Sequence, residues 1–167
     1  CSMMLNHKYI RSYYLRMYEA KYISGAIAGS LAEGDYVGYH ADYPIRGSIA
    51  EINAFALGVQ MTNPRVKVLL GWRMMKDKDY VEEFRKKKAS IVCGAEINAT
   101  VDSNKEFGMF KFNEDGSHQN LCMPVRHWGK LYEEIIQSVM IGAYKNDDSL
   151  AGDNALNYFW GMSSGAV

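Results

Sequence analysis

Apolar residues along this chain fall into two rhythms, and the two alternate. Val37, Gly38 and Tyr39 form a short β-prone run, which Ala41-Asp42-Tyr43-Pro44 breaks because proline cannot continue a strand ladder and restricts the residue before it. Pro44 suits a first helical turn, and from there Ile45, Ile49, Ile52, Ala56 and Val59 recur at helical spacing and share one face. Residues 36–63 therefore read as strand, loop and amphipathic helix, with Asn63-Pro64 as the stop. Val66, Val68, Leu69 and Leu70 make 65–72 a nearly continuous apolar strand, as expected where both faces are covered. Residues 79–88 predict a short helix with Tyr80, Val81 and Phe84 inward, and 90–94 a third strand. The weaker segment 95–106 reads as a short helix or loop. A fourth strand over 107–112 ends at Asn113-Glu114-Asp115-Gly116, and 121–125 reads as a fifth.

Helices flank this core in sequence. Tyr14, Met17, Tyr18, Tyr22, Ala26 and Gly29 keep helical spacing over 11–32, and Gly25 and Gly29 suggest that another backbone approaches closely there. Trp128, Leu131, Tyr132, Ile135, Ile136, Val139 and Met140 give the firmest helical repeat in the chain, closed by Gly142. Residues 145–154 read as a polar surface loop. Strand and helix alternating in this way favour an α/β fold with a doubly wound parallel sheet.

Composition narrows the functional classes. With 167 residues the chain can hold one core of ordinary size, or parts of two. Its 19 basic and 19 acidic side chains cancel, so no global field attracts nucleic acid, and the basic cluster 85–88 reads as a solvated helix end. No apolar run approaches the ~20 residues of a membrane span, and no signal segment is visible. Three cysteines without paired spacing signal neither a disulfide framework nor zinc. Cys93 reads as a buried small hydrophobe, and Cys1 as a fragment boundary in preference to a lipid-modified residue. Cys122 and His127 lie close in sequence, which is no evidence of a catalytic pair. Phosphate-loop, GxSxG and HExxH motifs are missing, so no catalytic residue, metal or cofactor is expected.

Ligands of open parallel sheets bind beyond the carboxyl ends of the strands, which makes the 41–44 loop the first place for a site. In a doubly wound sheet the strand endings gather at one edge, and here they carry Asp42 and Tyr43, Trp72 and Arg73, Glu96 and Asn98, and Asn113 with Asp115. Acids, amides and aromatic rings together suit a polar, ring-bearing small molecule. Each residue also has a plainer reading. Asp42 fits a turn or helix cap, Asn113 and Asp115 fit a turn before Gly116, Trp72 and Trp160 fit the core, and His40 reads as structural.

Four stretches in order, YYLRMYEAKYISGAIAG, YVGYHADYPIRGSIAEINAFALGVQMTNPRVKV, FKFNED and FWGMSSGAV, resemble the basic membrane protein family of solute-binding lipoproteins, which includes purine nucleoside receptors of ABC importers. The resemblance covers nearly the whole chain and corresponds to the C-terminal part of such a protein. It implies two doubly wound lobes clamping a nucleoside, with the N-terminal part of the first lobe lying outside this sequence. It assigns 1–34 to the incomplete first lobe, 35–124 to the second, and 125–167 to a return helix and terminal cleft loop.

By the same resemblance Asp115 holds sugar hydroxyls and residues 161–165 face the ligand. Ser163 and Ser164 stand where the family commonly has a lysine and an acid. The expected contacts are Asp42, Tyr43, Trp72, Asn113, Asp115, Trp160, Ser163 and Ser164. The expected partners are a nucleoside-like ligand, an ABC permease, and a missing segment or another chain covering the apolar helices at 11–32 and 128–142, which are expected to pack on each other. The implied location is the extracellular face of the cell envelope. Two alternatives stand beside transport: a sensory domain of a cytoplasmic regulator, and a nucleoside hydrolase using Asp115 and Asp42.

Overall fold

The computed structural model describes residues 13–75, 78–94, 96, 107–142 and 158–167. The expectations for 95 and 97–106, for the 145–154 loop and for Cys1 lie outside the described residues. The chain divides into two compact units. A sheet unit spans Tyr18–Pro124, and a terminal unit joins Cys1–Met17 to Val125–Val167.

In the sheet unit, β2 (Tyr36–Ala41), β3 (Lys67–Trp72), β4 (Ile91–Cys93), β5 (Met109–Phe112) and β6 (His118–Cys122) form one five-stranded sheet, ordered β3-β2-β4-β5-β6. The chain is α/β as expected, with β2, β3 and β4 parallel. The last two strands correct the expectation of parallel strands throughout: β5 runs antiparallel to β4, and β6 antiparallel to β5. The reason is the length of the connection. Residues 113–117 join β5 to β6 with Asn113 N donating to Ser117 O at 2.8 Å, whereas a parallel crossover needs about a dozen residues or more. Asn-Glu-Asp-Gly is hairpin chemistry, and Gly116 supplies the positive φ of 84° that the turn requires.

Side chains of β2 alternate between two covered faces. Val37, Tyr39 and Ala41 pack with Ala28 of helix α1 (Met17–Leu31) and with Ile52, Phe55 and Val59 of helix α2 (Arg46–Thr62). Gly38 faces the other way, against the ring of Phe84 on helix α3 (Tyr80–Lys86), whose N-cap Asp79 accepts from Glu82 N at 3.0 Å. Helices on opposite faces follow from the topology. The chain steps from β2 outward to β3 through α2, then back across β2 to β4 through α3, and right-handed crossovers in opposite directions put their helices on opposite sides.

The buried faces of the first two helices differ from those expected. In α1 the buried stripe is Met17, Lys21, Ser24 and Ala28, and Tyr22 is exposed; in α2 it is Ile52, Phe55 and Val59, and Ile45 and Ile49 are exposed. The cause is the contact of the two helices with each other. A Cβ on Gly25 would overlap the carbonyl of Phe55, and one on Gly58 the carbonyl of Tyr22, so the backbones touch where a side chain would hold them apart. Thr62 Oγ1 donates across the contact to Ala26 O at 3.0 Å. From Tyr18 onward α1 is grouped with the sheet, where Ala28 packs in the core.

The terminal unit pairs strand β1 (Tyr13–Leu15), in a stretch expected to be helical, in parallel with β7 (Tyr158–Trp160). Tyrosines favour the strand, and Tyr14 stacks on Phe159 at 5.1 Å. Helix α4 (Trp128–Met140) forms as its periodicity predicts. Its Leu131 packs in a small core with Leu15 and Ala166, and His127, at its N-cap, accepts from Lys130 N at 3.0 Å. Tyr132, Ile136, Val139 and Met140 leave its other apolar positions exposed. Among the described residues no helix is long and apolar enough to cross a membrane.

Candidate functional site

Strand order in the sheet unit reverses at β2. The neighbours β3 and β4 lie on either side of it, reached in opposite directions, which makes the carboxyl ends of β2 and β4 the topological switch point where ligands of open α/β sheets bind. The register fixes which residues stand there: Tyr39 is opposite Cys93 at the end of the β2–β4 pairing, and His40 to Pro44, Gly94 and Glu96 continue beyond it.

The loop after β2 carries two of the expected contacts. Asp42 Oδ1 lies 3.3 Å from Arg73 Nε in an exposed ion pair, and Arg73 N donates to Ala41 O at 2.7 Å, which ties the ends of β2 and β3 together. Such a pair in solvent adds little stability, and the carboxylate stays accessible. Tyr43 is exposed, and its ring is open to a ligand face. Trp72 ends β3 partly buried against the core around Phe55, so its ring serves packing at least as much as the site. His40 meets the Tyr80 ring at 6.1 Å; burial and the adjacent Arg73 charge hold its pKa below the ordinary value, which keeps it neutral at pH 7.

Asn113 and Asp115 are not at this edge. Because β5 is antiparallel to β4, its carboxyl end lies beside the amino ends of β2 and β4. Asp115 there accepts from Ser117 N at 2.9 Å and Ser117 Oγ at 2.6 Å, and Asn113 Nδ2 donates to Ser117 Oγ at 2.9 Å. These bonds lower the pKa of the exposed Asp115 carboxyl and close a turn, the plainer of the two readings of these residues. Asp42 and Asp115 stand at opposite ends of the sheet, where they cannot share a substrate as an acid and base pair.

Trp160, Ser163 and Ser164 belong to the terminal unit. Trp160 ends β7 with its ring 5.0 Å from that of Tyr158, edge to face, and joins the core around Leu131. Ser163 and Ser164 lie in a single 3-10 turn, Met162–Ser164, in which Ser164 Oγ donates to Gly161 O at 2.7 Å.

Two residues at the carboxyl ends of β2 and β4, Lys21 and Glu96, were not among the expected contacts. Lys21, on the buried stripe of α1, places Nζ 2.9 Å from Glu96 Oε1, 3.5 Å from Cys93 Sγ and 5.6 Å from the centroid of the Tyr39 ring. Burial opposes its charge, but the neighbouring groups Cys93, Tyr39 and Glu96 outweigh that, and the ammonium titrates above its ordinary value, while burial raises the pKa of Cys93 and of Tyr39. The signal was present in sequence: Lys21 stands four residues after Met17 and seven before Ala28, on a stripe of otherwise uncharged residues.

No protein-family model matches the chain. A purine-binding protein of Brucella abortus is 30% identical over 172 aligned positions, covering 93% of this chain and 45% of that protein. A putative ABC transporter glucose-binding protein of Haloferax volcanii is 24% identical over 149 positions, covering 79% of this chain and 37% of that protein. The chain thus spans less than half the length of either relative. These matches bear out the resemblance to solute-binding proteins of the basic membrane protein type.

Proposed function

We propose that this chain forms part of a solute-binding protein that delivers a small ring-bearing ligand, a purine nucleoside or free purine, to an ABC permease at the extracellular face of the cell envelope. The observation that carries the reading is the end of β2 at the switch point, which carries an accessible carboxylate, an exposed tyrosine ring and a neutral histidine within four residues. A purine offers a flat face for stacking and N–H groups for a carboxylate to accept. The purine-binding Brucella relative supports the ligand class, and the putative glucose-binding Haloferax relative supports a sugar as the competing one.

Asp42, Tyr43 and Trp72 are the proposed contacts from the sheet unit. Trp160, Ser163 and Ser164 enter the proposal through the family resemblance alone. Binding is the whole of the proposed activity, since the carboxylates suggested for hydrolysis are parted by the sheet.

Mass action on the native state provides the test. The full reading frame that carries this chain is heated with adenine, adenosine, guanosine, glucose and a panel of amino acids. A rise in melting temperature with the purines is the expected result. A rise with glucose alone moves the ligand to the sugars, and a rise only with amino acids overturns the proposal.

A further inference from the structure

Lys21 and Glu96 form a pair graded from core to solvent. Lys21 is 2% exposed and Glu96 is 13% exposed, so the ammonium is sealed in the core while the carboxylate keeps some access to solvent. A buried ion pair is a poor stabilising device, because taking both charges out of water cancels much of their attraction and an apolar pair of similar volume usually holds a core as well or better. Every contact of Lys21 named above nevertheless points to one place. Cys93 and Tyr39 are register partners at the last rung of the β2–β4 ladder, and Glu96 follows three residues beyond Cys93.

We infer that Glu96 is a ligand-accepting carboxylate at the carboxyl end of β4 and that Lys21 is its positioning residue, holding it in place. This inference rests on the solute-binding reading above and adds a specificity to it. A carboxylate held in this way accepts from N–H or O–H groups, so the ligand presents polar hydrogens at the β4 side, as a purine ring edge or a sugar diol does, and an anionic group at that position is repelled. Asp42 then supplies a second acceptor from the β2 side.

Calorimetric titration of adenine, adenosine, guanosine and glucose into the full-frame protein tests the inference, with melting temperatures measured in parallel. Wild-type protein that binds none of these probes overturns the solute-binding reading and the inference with it. Where the wild type binds, Glu96→Gln keeps the shape but not the charge, and affinity is expected to fall about tenfold or more, the worth of one charge-assisted hydrogen bond. Lys21→Met strands a carboxylate and lowers both melting temperature and affinity.

The double variant Lys21→Met with Glu96→Gln separates the two roles. It is expected to regain melting temperature relative to Lys21→Met while affinity stays about tenfold or more below wild type. A double variant that regains both shows the pair to be core structure only. Unchanged affinity in Glu96→Gln overturns the inference equally, and leaves the solute-binding reading standing.

Discussion

The two ends of the five-stranded sheet satisfy their polar groups in different ways. At the carboxyl end of β2 and β4, Lys21 reaches from α1 to Cys93 and Glu96, and Arg73 reaches from beyond β3 to Asp42. These partners are distant in sequence and meet only in the folded chain. At the tip of the β5–β6 hairpin, Asn113, Asp115 and Ser117 bond to one another within five residues. Carboxylates at both ends looked alike in sequence. The one that closes its own turn is accounted for by local geometry, whereas the ones held by distant partners cost the fold something to assemble and call for another explanation.

Breaking the helix contact that brings Lys21 to its place should have the largest effect. Gly58→Val drives a side chain into the carbonyl of Tyr22 and parts α1 from α2, with an expected loss of about 3 kcal/mol or more in chemical denaturation, or no folded protein. Asp42→Ala should separate binding from stability. Purine affinity is expected to fall about tenfold, while unfolding changes by no more than about 0.5 kcal/mol, since the pair with Arg73 is exposed.

Asp115→Ala should do the reverse, with a small drop in melting temperature and unchanged ligand affinity. Its folded pKa is depressed by Ser117, so the stability it lends is present above the unfolded carboxylate value of about 4 and is lost as pH falls through the lower folded value. A nucleoside affinity that depends on Asp115 would contradict the division between the two ends. The smallest effect concerns His40. Its folded pKa also lies below the ordinary value near 6.5, so its contribution is complete above that pH and is lost on acidification through the folded value. Ring-proton NMR titration should find that midpoint below 6.5, and ligand affinity should be flat from about pH 7 to 8.

Much of this was legible in the chain. β2, β3, β4, α3 and α4 stand where the apolar rhythms put them, because each is decided by residues adjacent in sequence. Three features escaped for identifiable reasons. Tyr13–Leu15 is too short to show a period and is a strand only because Tyr158–Trp160 pairs with it. The direction of β5 hung on reading 113–117 as a connection and not as a strand ending. Lys21 is hidden from an apolar periodicity because it is the charged member of its stripe, although a charge in that position is the more informative feature. Which unit α1 joins was beyond periodicity altogether, since a helix face does not say which surface will cover it.

The pairing of β1 with β7 also orders events during synthesis. Residues 18–124 form a continuous stretch, so the sheet unit has all its elements once Pro124 has emerged from the ribosome. Tyr13–Leu15, made earlier, cannot form its pairing with Tyr158–Trp160 until that strand arrives, and closing so long a loop is entropically slow to reward. Of the strand pairings described, this one therefore completes last.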